Sequence, residues 1–311
     1  MSHPRPLRIA TRGSQLALWQ AYHVRDRLQA LNPDLVIELL TMKTAGDRIL
    51  DTPLAKIGGK GLFVKELEQA MLEGTADIAV HSMKDVPVEL PPSLHIPVVL
   101  EREDPRDCLV SVNHPALRAL PEAACVGTSS LRRRSQLACL RTDLQLNDLR
   151  GNVNTRLDKL ERGEFDAIVL AAAGLRRLGF SARITQCFDV TEMLPAIGQG
   201  IIGIECRRDD AWVEALLAPL EDPLSRDALA AERALNASLQ GGCQVPIAGH
   251  ARIDGEELVI DGLVASLDGR EQIRGTRRGA RRDAAAMGAD LGQFLLDNGA
   301  DRILRDIGLL N

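Results

Sequence analysis

With 311 residues, a net charge of −5 and 45% hydrophobic content, the chain reads as a soluble globular protein of two or three domains rather than a disordered one. Its eight aromatic residues are too few for a base-stacking platform, and the acidic balance excludes a bulk nucleic-acid binder. Thirty-two of the 38 basic residues are arginine, so where the positive charge gathers matters more than the total. The longest apolar stretch, Ala167–Leu175, is about half of the roughly 20 residues needed to span a bilayer. The start of the chain has no signal-peptide core, which points to a cytoplasmic protein. Cys108, Cys125, Cys139, Cys187, Cys206 and Cys243 are scattered, with no Cys-x-x-Cys and no paired histidine. They are expected to be reduced and mostly buried, and no metal is expected.

In chain order, strands are predicted at Leu7–Ala10, Leu35–Met42, Ala76–His81 and His95–Leu100. Helices are predicted over Ser14–Leu31, with Ser14 as its cap, and over Gly61–Leu72. This alternation predicts a mostly parallel sheet covered by helices. Five prolines from Pro87 to Pro105, beside the charged run Glu101–Asp107, mark a boundary. A second α/β unit follows, with strands at Cys108–Val112, Ala124–Val126, Gln145–Asp148 and Ala167–Leu170 and helices at Ser130–Leu140 and Asn152–Arg162. Thr191–Gln199 is rich in turns, and Ile201–Cys206 reads as another strand. Beyond Pro223 a helix over Leu224–Leu239 precedes Ala251–Asp254, Glu257–Ala265 and Arg270–Arg277. These three alternate and are joined by glycine turns, which predicts an antiparallel meander. Helices at Asp283–Asn298 and Ala300–Ile307 close a smaller α+β domain.

Five motifs carry possible chemistry. Gly198-Gln-Gly-Ile-Ile-Gly203 has the spacing of a dinucleotide fingerprint, but a strand follows where the fingerprint needs a helix N-terminus, so it reads as a glycine turn. Gly58-Gly-Lys-Gly61 lacks the Ser or Thr of a phosphate loop and reads as a glycine loop carrying Lys60, suited to a lid. His81-Ser-Met-Lys-Asp85 lies at the carboxyl end of a strand, where open α/β sheets gather ligands. There Lys84 is a candidate binding cation and Asp85 a candidate acid or base; the plainer alternative is a surface ion pair.

Gly127-Thr-Ser-Ser-Leu-Arg-Arg-Arg134 joins a strand to a helix and sets N–H groups, hydroxyls and guanidinium groups at the positive helix end, an anion site. Successive helical side chains diverge by about 100°, so Arg132, Arg133 and Arg134 do not all face one ligand. Arg150 and Arg156 flank a second such turn, and Arg176 and Arg177 follow a third strand. Three sets at equivalent turns predict a cleft for a polyanion with several carboxylates or phosphates. Val126–Arg177 carries ten basic and six acidic residues, whereas Pro219–Asn311 carries eleven and fifteen, so the acidic total hides a basic region. Gly241-Gly-Cys-Gln-Val-Pro246 leaves Cys243 sterically open, a candidate for modification or nucleophilic chemistry.

Together these segments resemble the porphobilinogen deaminase (hydroxymethylbilane synthase) family. The matching pieces are Leu7-Arg-Ile-Ala-Thr-Arg12 with Leu16-Ala-Leu-Trp19, Lys56-Ile-Gly-Gly-Lys-Gly-Leu-Phe-Val-Lys-Glu66, Asp77-Ile-Ala-Val-His-Ser-Met-Lys-Asp-Val-Pro87, Gly127–Arg133, Leu149–Arg156, Leu194-Pro-Ala-Ile-Gly-Gln-Gly200 and Gly241–Pro246. They run in family order over nearly the whole chain. Gly13, Gln15 and Ala45 depart from the family's usual residues, none at a position given a chemical role.

The resemblance implies an α/β fold of two periplasmic-binding-protein-like lobes with mainly parallel sheets, plus a C-terminal α+β domain with a three-stranded antiparallel sheet. Domain 1 would comprise 1–99 and 200–217, domain 2 104–194 and domain 3 218–311. It implies a monomeric, cytoplasmic transferase of heme biosynthesis that joins four porphobilinogens head to tail with loss of ammonia. The product, linear hydroxymethylbilane, would pass to uroporphyrinogen-III synthase without a stable complex. A dipyrromethane cofactor would be attached through a thioether at Cys243. Each pyrrole carries an acetate and a propionate, so a six-ring chain brings twelve carboxylates and requires local guanidinium groups. By carry-over, Lys84, Thr128, Ser130, Arg132 and Arg133 hold the cofactor. Arg12, Ser14, Arg150, Arg156 and Arg177 hold the substrate and growing chain, with Lys56 and Lys60 nearby. Asp85 is the expected catalytic residue, a carboxylate that stabilises cationic pyrroles and shuttles a proton. The alternatives are a cytoplasmic anion-binding protein of solute-binding type, which would leave Cys243 and Asp85 unexplained, and a cysteine-dependent hydrolase.

Overall fold

A computed structural model describes residues 5–48, 61–241 and 245–308, so the expectations for Lys56, Lys60 and Cys243 lie outside the described residues. The chain begins β1 (Leu7–Arg12), α1 (Gln15–Leu31), β2 (Ile37–Met42), α2 (Ala45–Arg48), α3 (Lys65–Leu72), β3 (Ile78–Ser82) and β4 (Leu94–Val99). It continues through β5 (Asp107–Val110), β6 (Cys125–Gly127), α4 (Leu131–Leu140), β7 (Gln145–Asn147), α5 (Val153–Glu161), β8 (Ala167–Ala171), α6 (Ala172–Arg177) and β9 (Gln186–Cys187). It ends with β10 (Ile202–Arg207), α7 (Ala211–Leu217), α8 (Pro223–Ser238), β11 (Ile247–Asp254), β12 (Glu257–Ala265), β13 (Gln272–Ala280), α9 (Ala284–Leu295) and α10 (Asp301–Asp306). Among the described residues no helix is long and apolar enough to cross a membrane.

Two compact units result. Among the described residues, the first comprises 5–48, 61–102 and Ile201–Arg226, and the second Glu103–Gly200, 227–241 and 245–308. The first is built on a sheet of order β2-β1-β3-β10-β4. β1 runs parallel to β2 and β3, whereas the returning β10 is antiparallel to both β3 and β4. Ala17, Ala21, Val24 and Leu28 form the buried face of α1, at the spacing that keeps helical residues on one side. Ala21, Val24 and Leu28 pack on Leu7, Ile9, Ile78 and Ile204 of the sheet. Buried Asp77, just before β3, staples the unit, accepting from the backbone N–H and side chain of Arg8 and from Arg207 of β10.

The second unit holds two sheets. One has the order β7-β6-β8-β5-β9, with β6 parallel to β7 and β8 and with β5 antiparallel to β8 and β9. The other is the antiparallel meander β11-β12-β13. It packs on α8 and α9 through Leu235, Leu258, Ile260, Leu291 and Leu295. At Gly288 in α9 a Cβ atom would lie 1.9 Å from the Ala231 carbonyl oxygen of α8, so the bare Cα sets the approach of the two helices. Glu232 of α8 is fully buried and accepts from the N–H groups of Gly198 and Ala251, joining the glycine turn to the meander. The fold class is therefore the expected one: two parallel-rich α/β sheets and a C-terminal three-stranded antiparallel sheet.

Several elements differ from expectation. β11 starts at Ile247, because Ile247–Ala251 are all buried and so lack the alternation that marks a half-buried strand. α3 starts at Lys65, since Gly61 takes a φ of +83° and opens a turn instead. The short helices α6 and α7 were not expected. Among the five described cysteines only Cys108 and Cys206 are buried, which corrects the expectation of mostly buried thiols. Cys187 lies on the edge strand β9 and Cys139 on the exposed end of α4.

Candidate active site

In the first unit the chain leaves β3 through Ser82 into a single 3₁₀ turn, Met83–Asp85. The turn is held from beneath. The Met83 N–H donates to the Ile201 carbonyl, and the Met83 side chain is buried over Gly203 of β10. A Cβ at Gly203 would stand 2.1 Å from Met83 Sδ, so this glycine makes room for the residue that seats the turn. Gly198 and Gly200 adopt φ of +68° and +89°, and a strand rather than a helix follows them, so the glycine motif is a turn as expected.

Asp85 lines an open pocket with Arg12, Ser14, Gln20, Phe63, His81 and Ser82. Three of the sequence-predicted residues, Arg12, Ser14 and Asp85, are thus brought to one concavity, and Lys84 shares the turn with Asp85. Arg12 is already engaged there: it forms an ion pair with Asp47 and stacks its guanidinium 4.3 Å from the Phe63 ring centroid. Burial would raise the Asp47 carboxyl, but hydrogen bonds from Arg12 and Thr44 outweigh it and hold the group below its ordinary value. Ser14 caps α1, its Oγ accepting from the Ala17 N–H at 3.3 Å. Gln20 donates to Ser82 Oγ at 2.7 Å, and His81 meets Glu205 at 2.8 Å beneath the pocket. Gln20, Phe63 and Asp47 escaped sequence reasoning, since each is an ordinary member of its helix or loop until the chain folds.

In the second unit β6, β7 and β8 run parallel, so the turns that follow them share one edge of the sheet. The first turn holds Thr128 and Ser130. Thr128 Oγ1 accepts from the Ser130 N–H at 3.3 Å, and Ser130 caps α4 by accepting from the Arg133 N–H. Arg132 and Arg133 then turn inward, 4% and 6% exposed, onto one carboxylate, Asp107 at the start of β5. Arg132 Nη1 donates to Asp107 Oδ2 at 2.7 Å and to the Leu194 carbonyl at 2.8 Å. Arg133 gives Nε and Nη2 to Asp107 Oδ1 and Nη1 to the Val169 carbonyl. Gln199 adds a third donor to Asp107, at 3.0 Å. Arg134 points away, to Asp148, so the three arginines do not all face one partner, although Arg132 and Arg133 do.

The electrostatics of this knot are one-sided. Burial would raise the Asp107 carboxyl, but the charges of Arg132 and Arg133 and hydrogen bonds from Arg132 and Gln199 hold it far below the usual carboxylate range. Asp107 was not foreseen; it closes a charged run that reads from sequence as a boundary. Among the described residues Arg133 has every nitrogen bonded, whereas Nε and Nη2 of Arg132 take no partner. At the second turn Arg156 Nε donates to the Gly151 carbonyl, with Gly151 at a φ of +111°. Burial pushes Arg150 below its ordinary value. At the third, Arg177 donates to the Gly200 carbonyl at 2.7 Å, and burial pushes its guanidinium down to about 10. Arg176 instead pairs with Asp104 at the surface.

Comparison with known proteins identifies related sequences and folds. A family model described as "Porphobilinogen deaminase, dipyromethane cofactor binding domain" matches residues 7–215. A second, "Porphobilinogen deaminase, C-terminal domain", matches residues 227–297. Among solved structures, the periplasmic aliphatic sulphonate binding protein SsuA from Escherichia coli superposes with a TM-score of 0.41 at 16% identity, covering 76% of this chain and 71% of that one. A putative methionine-binding lipoprotein from Bacillus subtilis gives 0.44 at 12% identity, covering 73% and 94%. The VFT2 domain of BvgS from Bordetella pertussis, as a double mutant, gives 0.43 at 16% identity, covering 73% and 91%.

Proposed function

Because the chain belongs to the porphobilinogen deaminase family, we propose that it joins four porphobilinogen molecules head to tail, with loss of ammonia, to give linear hydroxymethylbilane. The family makes it a transferase of tetrapyrrole synthesis, and the larger matched region is a dipyrromethane cofactor-binding domain. The observation that carries the finer reading is the donor set along one edge of the second unit's sheet. Arg132 is held by Asp107 through Nη1 alone, and among the described residues Nε and Nη2 remain for a carboxylate. Hydroxyls of Thr128 and Ser130 stand beside it at a helix N-terminus. This chemistry fits a group that bears acetate and propionate side chains. When bound through the Cys243 thioether, the dipyrromethane supplies the pyrrole carbon from which the chain is extended.

The residues then divide the work. Thr128, Ser130, Arg132 and Lys84 hold carboxylates of the cofactor. Arg133 belongs to the same set by position, and its role is to fix Asp107 and so the angle of Arg132. Arg12, Arg150, Arg156 and Arg177 bind carboxylates of substrate and growing chain, assisted by Lys56 and Lys60, with Ser14 shaping the pocket. Asp85, carried on the Met83-seated turn, accepts hydrogen bonds from pyrrole N–H groups. It stabilises the cation that ammonia loss leaves on the substrate, and it takes up the proton released when the new carbon–carbon bond forms.

The test is intact mass of the denatured protein. The wild-type chain should carry two pyrrole units beyond its bare mass and, with porphobilinogen added, a ladder of one to four more. Cys243→Ser should carry none. A bare wild-type chain that forms no adduct with substrate would exclude the assignment.

A further inference from the structure

Outside the pocket and the arginine edge, one group of chemically diverse side chains in the first unit has no role in the reaction. The geometry points to a zinc site formed by His95, Cys206 and Glu214, closed by a water molecule.

The fold brings these residues together from distant positions. His95 on β4 and Cys206 on β10 are direct cross-strand partners in the antiparallel pair. The register of that pair shifts between Ile204 and Cys206, an irregularity of the kind that re-aims side chains. Glu214 comes from α7, the helix that follows β10. One ligating atom from each residue lies within 4.8 Å of the other two, the only such group of three among the described residues. His95 Nε2 is 3.5 Å from Cys206 Sγ and 2.9 Å from Glu214 Oε1.

These separations are close to what zinc requires. Zinc bonds of about 2.0–2.1 Å to nitrogen, about 2.3 Å to sulfur and about 2.0–2.2 Å to oxygen, at tetrahedral angles, place N and S about 3.5 Å apart and N and O about 3.4 Å apart. The N–S pair already matches, and the N–O pair needs to open by about half an ångström. Cys206 is buried while His95 and Glu214 are partly exposed, so the ion would enter from the solvent side without unpacking the sheet. A thiolate and a carboxylate cancel the dication, and the thiol proton passes to solvent on binding. A soft sulfur with imidazole selects zinc over magnesium or calcium. The ion would join β4, β10 and α7.

The experiment uses the full-length protein, stripped with a chelator and titrated with Zn²⁺ alone. One equivalent should bind and raise the thermal midpoint. His95→Ala and Glu214→Ala, both at solvent-accessible positions, should each weaken binding by at least about tenfold. Co²⁺ in place of Zn²⁺ should give a thiolate charge-transfer band that Cys206→Ser abolishes. If Cys206→Ser does not fold, the two surface variants decide. Zinc affinity unchanged in either of them, or a Co²⁺ complex without the thiolate band, overturns the site.

Discussion

Asp107→Asn keeps the shape of the side chain and removes its charge. In the wild type this one carboxylate faces two guanidinium groups at 2.7–3.0 Å, each more than nine-tenths buried. The substitution therefore leaves two buried cations without a counter-charge. Breaking a buried ion pair from one side costs about 3–5 kcal/mol, and with two orphaned partners the upper end is expected. Against a total stability of about 5–15 kcal/mol, that is a large fraction. The assay is urea unfolding at neutral pH, followed by circular dichroism. Arg133→Leu in the Asp107→Asn background should cost less than Arg133→Leu alone, because the double variant buries one cation fewer. A loss below about 1 kcal/mol, or strict additivity of the two substitutions, would refute the reasoning. The pH dependence has a definite sign. The folded pKa of Asp107 lies below its unfolded value of about 3.9, so its contribution is complete above that value. It is lost as the pH falls from there through the folded value, and Asp107→Asn should flatten this acid limb.

Three further outcomes are expected. Asp85→Asn should retain the fold and the covalent pyrroles but lose at least about a hundredfold in turnover, the lower bound for a positioned proton-transfer group; near wild-type rates would remove Asp85 from the chemistry. Gly203→Ala should drive a methyl group into Met83 at a cost of about 1–3 kcal/mol and, by displacing the Asp85 turn, reduce activity more than stability; unchanged activity in a well-folded variant would show that the turn is seated by other contacts. Gly288→Ala meets backbone rather than a side chain, so its loss in thermal unfolding should exceed that of Gly203→Ala; a smaller loss would mean that α8 and α9 part without strain.

The strand–helix alternation was legible because each helix carries one apolar face and each parallel strand an apolar run. α7 was not, since seven residues after Asp209-Asp210 give barely two turns of periodicity. The arginine-rich turns could be placed on the sheet from sequence, and helical spacing showed that Arg132, Arg133 and Arg134 would not all face one ligand, though not which of them turns away. What could not be read was which acid the inward arginines meet, because Asp107 lies 25 positions from Arg132 and joins it only through the antiparallel return of β5. The grouping of His95 with Cys206 is hidden for the same reason. No spacing rule connects positions 95 and 206, whereas a strand register does. Even within the pocket, Ser14 was legible from sequence as a helix cap, while the partnership of Arg12 with Asp47 and Phe63 joins positions that no spacing rule connects.

The two-to-one ratio of arginines to carboxylate in the second unit has a consequence for how ligand and fold depend on each other. Asp107 cancels one of the two buried charges, and Gln199 and the carbonyls of Leu194 and Val169 contribute only dipoles. Among the described residues, this cluster is thus one negative charge short of neutrality. On the proposed role of Arg132, a cofactor carboxylate at its remaining face would supply that charge and so act as a component of the core as well as a bound group. Its binding energy would then add directly to resistance against unfolding, so that loading the site and completing the interior would be one event.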